Sequence, residues 1–73
     1  MTAIETIEKL MKDTDTSLKD LADYSELGTK ENVYQMLKRS DLKVGTFVKM
    51  LETLGFQLIA LNEESEEEIV IEF

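Results

Sequence analysis

The stretch that decides the fold runs from Thr29 to Arg39 and reads TKENVYQMLKR. At helical spacing its apolar side chains share one face: Val33, Met36 and Leu37. Its polar side chains face away from that side: Glu31, Tyr34, Gln35 and Lys38. A short helix with an apolar back and a hydrogen-bonding front is a candidate surface for recognising another molecule.

The residues before this stretch predict a second short helix and a turn. Ser17 is a good N-cap, and Leu18, Leu21 and Ala22 form an apolar stripe behind it. The helix closes near Ser25, and residues 26 to 28 make the turn, in which Gly28 tolerates a positive φ. Thr29 then caps the next helix. Two short helices joined in this way predict a helix-turn-helix, a motif whose second helix enters a DNA groove.

Two further helices flank this pair. The first is predicted from Ala3 to Lys12, with Thr2 and Glu5 spaced as a capping box. The second is predicted from about Val44 to Leu54 after a break at residues 40 to 42, and it has a continuous apolar stripe. Gly55 is placed to stop it in the left-handed conformation.

The period of the pattern changes after Gly55. The segments FQLIAL (Phe56–Leu61) and EIVIEF (Glu68–Phe73) predict two strands, and the acidic connector at 62 to 67 joins them as an antiparallel hairpin. The predicted fold is therefore mainly α: a four-helix helix-turn-helix core (residues 3–55) followed by a C-terminal antiparallel β-hairpin (residues 56–73). At 73 residues the whole chain, 1–73, makes a single domain.

Composition lowers the expectation of several functional classes. The chain has no cysteine and no histidine, which removes thiolate chemistry, the commonest metal ligand and the commonest general base. We therefore expect no enzymatic activity, no cofactor and no metal. No apolar run reaches the roughly 20 residues that span a bilayer, and the N-terminus lacks a basic segment followed by an apolar one. We expect a soluble, cytoplasmic protein that does not associate with a membrane.

The charge of the chain is uneven. Eight basic and sixteen acidic residues give a net charge of -8, which opposes DNA binding because phosphate neutralisation dominates that affinity. Residues 27 to 50, however, carry five basic and two acidic residues, whereas residues 62 to 73 carry six acidic residues and no basic one. The only positive window thus contains the helix at Thr29–Arg39.

Several of these residues together resemble the Cro and phage-repressor class of helix-turn-helix proteins, the XRE family. The resemblance covers roughly residues 3 to 61. It rests on Leu18, Leu21, Ala22, the Leu27–Gly28 turn, Val33, the run Leu37, Lys38 and Arg39, and above all LKVGTFVKMLETLGFQLIAL at Leu42–Leu61. Between Ala22 and Val33 this chain has about one residue more than the family spacing, which predicts a remodelled turn.

The resemblance implies a bacterial or phage-borne DNA-binding transcriptional regulator that acts as a homodimer on a palindromic operator. Some proteins of this kind are antitoxins of toxin-antitoxin pairs. The hairpin resembles the strands through which Cro-like proteins pair, and contiguous apolar surface marks contact sites. The predicted dimer interface consists of Phe56, Leu58, Ile59, Leu61, Ile69, Ile71 and Phe73.

Two sets of DNA contacts follow from this interpretation. The expected base contacts are Lys30, Glu31, Tyr34 and Gln35, and the expected phosphate contacts are Thr29, Lys38, Arg39, Lys43 and Lys49. Gln35 suits a bidentate bond to adenine, and Glu31 could accept from a cytosine amino group. Each has a simpler alternative: Thr29 as a helix cap, Gln35 and the lysines as solvated residues, and Tyr34 as a half-buried flank of the core.

The sequence is also compatible with a second function, the binding of another protein. A protein-interaction module of the same fold, an antitoxin or anti-repressor, would bind a toxin or other basic protein through the acidic surface. The glutamates at 63 to 68 lack the spacing and central glycine of a calcium loop, so they are interpreted as a solvated turn. The four methionines are interpreted as core residues rather than ligands.

Overall fold

The computed structural model describes residues 1–39 and 42–72. It has four helices followed by a two-stranded antiparallel sheet, which confirms the predicted fold class. The elements are α1 (Ala3–Asp13), α2 (Leu18–Ser25), α3 (Lys30–Arg39), α4 (Val44–Thr53), β1 (Leu58–Leu61) and β2 (Glu68–Ile71). The predicted break at Ser40 and Asp41 and the predicted interface residue Phe73 lie outside the described residues.

Caps fix the start of the first three helices. Thr2 and Glu5 form the predicted capping box on α1, in which each side chain accepts from the other residue's backbone N–H. Hydrogen bonding to the Glu5 carboxyl, first from the Thr2 backbone N–H and second from the Thr2 side chain, holds the pKa of that carboxyl below its ordinary value. Ser17 accepts from the Asp20 N–H at the start of α2. Thr29 does the same for the Asn32 N–H at the start of α3.

The core lies between the helices. Its buried side chains come from all four helices and the residue after α4: Ile7, Leu21, Ala22, Val33, Met50, Leu51 and Leu54. Helix α2 packs against both α3 and α4, and α1 packs against α4. Ala22, predicted in the apolar stripe of α2, is buried. The core thus supports α3 from behind and leaves its polar side uncovered.

The end of α4 differs from its prediction. The helix ends at Thr53, and the Gly55 and Phe56 N–H groups donate back to the carbonyls of Glu52 and Leu51 at 3.0 and 2.8 Å. Gly55 has φ 89°, so this is a Schellman stop with glycine in the left-handed position. Phe56 therefore belongs to the helix end. The prediction of a strand from Phe56 was wrong by two residues because that N–H is used in the helix stop.

The hairpin extends from the helical core. Leu58 pairs with Ile71 and Leu61 with Glu68, and Leu58 is the hairpin residue that packs against the core. The chain measures 41 × 23 × 21 Å with a radius of gyration of 12.8 Å, compared with about 11 Å expected for a compact domain of this length.

The connector between the two strands is a hydrogen-bonded turn in which the Asn62 side chain accepts from the Glu64 and Ser65 N–H groups.

Within residues 1–39 and 42–72, no helix has the length and apolar character needed to cross a membrane.

Candidate nucleic-acid interface

Helix α3 is held by its apolar side. Val33 is fully buried, and Met36 and Leu37 are partly buried against the core. The polar side chains of α3 are exposed, as the helical spacing predicts. The sequence therefore identified correctly which side of this helix is anchored and which side is free to contact another molecule.

The turn between α2 and α3 needs two left-handed residues. Glu26 has φ 58° and Gly28 has φ 105°. The conformation of Gly28 was predicted, but that of Glu26 was not, because a glutamate carries no sequence indication of a positive φ. Leu27, between them, points into the core as a partly buried side chain. The side chain of Leu27 thus fixes the centre of the turn to the core, and the residue on each side of it has a positive φ.

Helical geometry divides the predicted base contacts into two groups. At 3.6 residues per turn, Glu31 and Gln35 lie opposite Val33, at the centre of the exposed side. Lys30 and Tyr34 lie on the flank of α3 that faces α1. Glu31 is in the first turn of the helix, where a carboxylate favours the positive end of the helix dipole. It therefore has a structural role that does not require a cytosine.

Tyr34 is involved in contacts within the chain. Its side chain is 48% exposed and the Lys38 ammonium nitrogen lies 5.6 Å from the centre of its ring, a cation–π arrangement. Tyr34 also lines an open groove of about 520 Å³ together with residues of α1, α2 and α3: Ile4, Glu8, Met11, Leu18, Leu37 and Lys38. Its position is therefore compatible with both predicted alternatives, the base contact and the half-buried flank of the core.

Three of the five predicted phosphate contacts, Arg39, Lys43 and Lys49, line hollows at the junction of α3 and α4, whereas Lys38 lines the groove toward α1. Arg39 and Lys43 line one depression of about 320 Å³ together with Thr46. Lys43 and Lys49 line an adjacent depression of about 260 Å³, which Thr46 and Gly45 also border. Residues that are ten apart in the sequence, Arg39 and Lys49, are thus brought to neighbouring hollows. The sequence did not indicate Thr46, which lines both depressions.

Among the described residues, the start of α4 lacks the side-chain cap bond that the other three helices have. Lys43 occupies the N-cap, where it makes no side-chain cap bond, and the first turn of α4 has no acidic residue. The first backbone N–H groups of the helix carry partial positive charge. The cationic side chains and this helix end therefore reinforce each other electrostatically. Thr29, at the start of α3, remains exposed while its hydroxyl oxygen accepts the cap bond.

The ion pairs of the described residues lie on α1 and α2 and not on α3 or α4. In the described ranges, the two ion pairs join Lys9 to Asp13 on α1 and Lys19 to Asp23 on α2. The cations of α3 and α4 have no carboxylate within ion-pair distance among those residues: Lys30, Lys38, Arg39, Lys43 and Lys49. Their charge is therefore available to an external anion, apart from any influence of residues outside the described ranges.

The hairpin presents apolar side chains to solvent on both faces. From the strand register, Leu58 and Ile71 share the face toward the helices, and Ile59, Leu61 and Val70 share the outer face. Ile59 is 41% exposed, Leu61 57% and Val70 44%. The predicted interface set thus includes residues of both faces, and Val70, which that set omitted, lies on the outer one. Phe56 and Ile69 are also exposed.

The acidic residues form no metal site in the part of the chain that the structure describes, where no group of three or more potential ligands is close enough to hold an ion.

Comparison with known proteins adds no assignment: no protein-family model, no curated protein and no solved structure matches this chain.

Proposed function

We propose that this protein is a sequence-specific DNA-binding transcriptional regulator, a repressor that acts as a homodimer on a palindromic operator. The observation that carries the proposal is the set of cations on α3 and at the α3–α4 junction that have no ion-pair partner among residues 1–39 and 42–72. A polar helix side bordered by positive charge matches what a major groove and its two phosphate backbones require. The proposal includes membership of the XRE class and no catalytic activity.

The residues have distinct roles in this proposal. Gln35 and Glu31, at the centre of the exposed side, contact base edges, and Lys30 and Tyr34 extend these contacts along the flank toward α1. The backbone contacts come from Thr29 at the start of α3 and from the cations around the α3–α4 corner: Lys38, Arg39, Lys43 and Lys49. Phosphate contacts position the protein, and base contacts determine the sequence it selects.

Dimerisation completes the mechanism. The outer face of the hairpin, formed by Ile59, Leu61 and Val70, pairs with the same face of a second copy. Because a two-stranded hairpin is marginally stable alone, a partner that covers this face stabilises both copies. The dimer places two α3 helices about 34 Å apart, one turn of DNA, and occupancy of the operator represses transcription.

Fluorescence anisotropy with a duplex from the region upstream of the chain's own coding sequence tests this function. If the four cations of each protomer each neutralise one phosphate, the affinity should fall with salt with a logarithmic slope of roughly −7. Lys43→Gln should reduce the slope by about 2 per dimer. Gln35→Ala should weaken specific binding about tenfold and leave the slope unchanged.

The matched control is Lys9→Gln, which removes the same charge from an exposed position on α1, where Lys9 is paired with Asp13. It should leave both the affinity and the slope close to the wild-type values. No specific binding at low salt would contradict the proposal. So would equal effects of Lys9→Gln and Lys43→Gln, because binding would then follow net charge rather than the surface around α3.

A second function is favoured by the acidic end of the hairpin. The glutamates of the connector and β2 are all exposed, and the described residues place no cation beside them. An antitoxin or anti-repressor would use this surface to bind a toxin or other basic protein. Replacement of Glu63, Glu64, Glu66 and Glu67 by glutamine decides between the two. Weaker capture of a co-purifying basic protein favours the interaction module, whereas tighter DNA binding favours the regulator.

A further inference from the structure

The side chain of Asn32 links the first turn of α3 to the turn that precedes it. Its Nδ2 atom donates to the Leu27 carbonyl oxygen at 2.9 Å, across five residues. Its backbone N–H donates to the Thr29 hydroxyl oxygen at 3.1 Å. One residue is therefore bonded at two points to the segment that connects the two helices.

The turn is shaped to receive this amide. A Cβ atom built on Gly28 would lie 3.1 Å from Asn32 Nδ2, closer than such contacts normally allow. Gly28 also has φ 105°, which only glycine adopts without strain. The glycine thus provides both the backbone direction and the space in which the amide lies.

The bond joins α3 to a fixed point. Leu27 packs against the core, so its carbonyl is held in place, whereas Gly28 and Thr29 are exposed. Without the Asn32 amide, the φ and ψ angles of Gly28 and Thr29 would be restrained mainly by the helix cap and by Val33. With it, the start of α3 is fixed relative to the end of α2. Because Glu31 and Gln35 belong to α3, fixing the orientation of this helix also fixes the direction in which their side chains point.

We propose that Asn32 is a positioning residue: it sets the orientation of α3 relative to α2, and so the angle at which the exposed side of α3 meets its target, without contacting that target. This role rests on the DNA-binding function proposed above. It also accounts for how a turn with two left-handed residues holds one orientation, since the Asn32 amide closes the turn from the helix side.

Residual dipolar couplings of the backbone N–H groups test the orientation directly. In Asn32→Ala the couplings of α3 should no longer fit the wild-type orientation relative to α2, while those within each helix still fit a helix. Ser17→Ala is the matched control, because it removes a side-chain bond of similar strength at the other end of α2 and leaves the turn intact. Wild-type couplings for α3 in Asn32→Ala would overturn the proposal.

A second variant covers the case in which Asn32→Ala does not fold. Asn32→Asp keeps the size of the side chain and places a carboxylate in the first turn of α3, which favours the helix. At neutral pH the carboxylate cannot donate to Leu27. It should therefore reorient α3 in the same way as the alanine variant, and an unchanged orientation would again overturn the proposal.

DNA binding provides the functional measurement. In Asn32→Ala the affinity for the upstream duplex should fall about tenfold, the effect of losing one well-placed contact, while the affinity for poly(dI-dC) stays within about twofold. A loss of folded protein would lower both affinities together, whereas the control Ser17→Ala should leave both close to the wild-type values. Unchanged specific affinity in a reoriented variant overturns the proposal. If the wild-type chain binds neither duplex, the regulator function fails, and the couplings alone decide whether Asn32 orients α3.

Discussion

Replacing Gly28 with alanine should lower the free energy of unfolding by about 2 kcal/mol. A positive φ costs an L-residue about 1–2 kcal/mol, and Gly28 has φ 105°. The added Cβ lies 3.1 Å from Asn32 Nδ2, so the bond to Leu27 must lengthen or break at a cost of about 1 kcal/mol. The lower entropy of the unfolded alanine chain offsets roughly 0.5 kcal/mol of this. The net effect is a large fraction of the stability expected for a domain of this size.

Gly55 provides the matched control. It also has a positive φ, 89°, but a Cβ built on it meets no atom within 4 Å. Gly55→Ala should therefore carry the cost of the backbone angle alone, about 1 kcal/mol. The difference between the two variants, about 1 kcal/mol, isolates the contact between Gly28 and Asn32.

Urea denaturation followed by circular dichroism, at one fixed protein concentration, measures both values. In an Asn32→Ala background the contact no longer exists, so the excess cost of Gly28→Ala over Gly55→Ala should disappear. Equal costs of the two glycine substitutions in the wild-type background would refute the reasoning. An excess that persists after Asn32 is removed would refute it as well, because the strain would then lie in the backbone.

Three further changes probe the cap, the core and the hairpin. Thr2→Val removes the second of the two bonds that lower the pKa of Glu5, so an NMR titration should show that pKa rise partway toward its ordinary value. The lowered pKa of Glu5 stabilises the fold at pH values above the unfolded-state pKa of about 4.3, and this stabilisation is lost as the pH falls through the folded-state pKa. Thr2→Val should therefore reduce the free energy of unfolding at neutral pH, and the difference from wild type should shrink on acidification. An unchanged Glu5 pKa in the variant would contradict this. Val33→Ala, at a fully buried position, should cost about 2 kcal/mol in urea denaturation. A cost below about 0.5 kcal/mol, the size expected at an exposed site, would mean that α3 is not anchored there. Ile59→Glu with Leu61→Glu should weaken dimerisation at least about tenfold in sedimentation experiments without loss of helix signal, and an unchanged dimer would remove the outer face of the hairpin from the interface.

The proposed function must operate against the charge of the whole chain. The net charge is -8, so the long-range field repels DNA, and attraction begins only within about a Debye length, roughly 8 Å in physiological salt. The cations of α3 and α4 act at that range, because ion-pair partners for them are absent from the residues described. A regulator of this kind should bind slowly and discriminate through short-range contacts rather than through electrostatic steering.

Local signals in the sequence determined most of the fold. Apolar periodicity located all four helices, Thr2, Ser17 and Thr29 marked three helix starts, and Gly55 marked the end of α4. These features are predictable because each depends on residues within one helical turn. The change of period after Gly55 located the hairpin for the same reason. The first strand was predicted two residues too long, since alternation cannot reveal that the Phe56 N–H is already bonded to Leu51.

Tertiary structure decided how these elements present the candidate site. The sequence determined by itself that α3 has an anchored side and a polar side, because helical periodicity alone separates them. Only packing brought Arg39, Lys43 and Lys49 to adjacent hollows. Only the folded turn joined Asn32 to Leu27, because that bond depends on the φ angles of Glu26 and Gly28, and a glutamate gives no sequence indication of the left-handed conformation that the turn imposes on it.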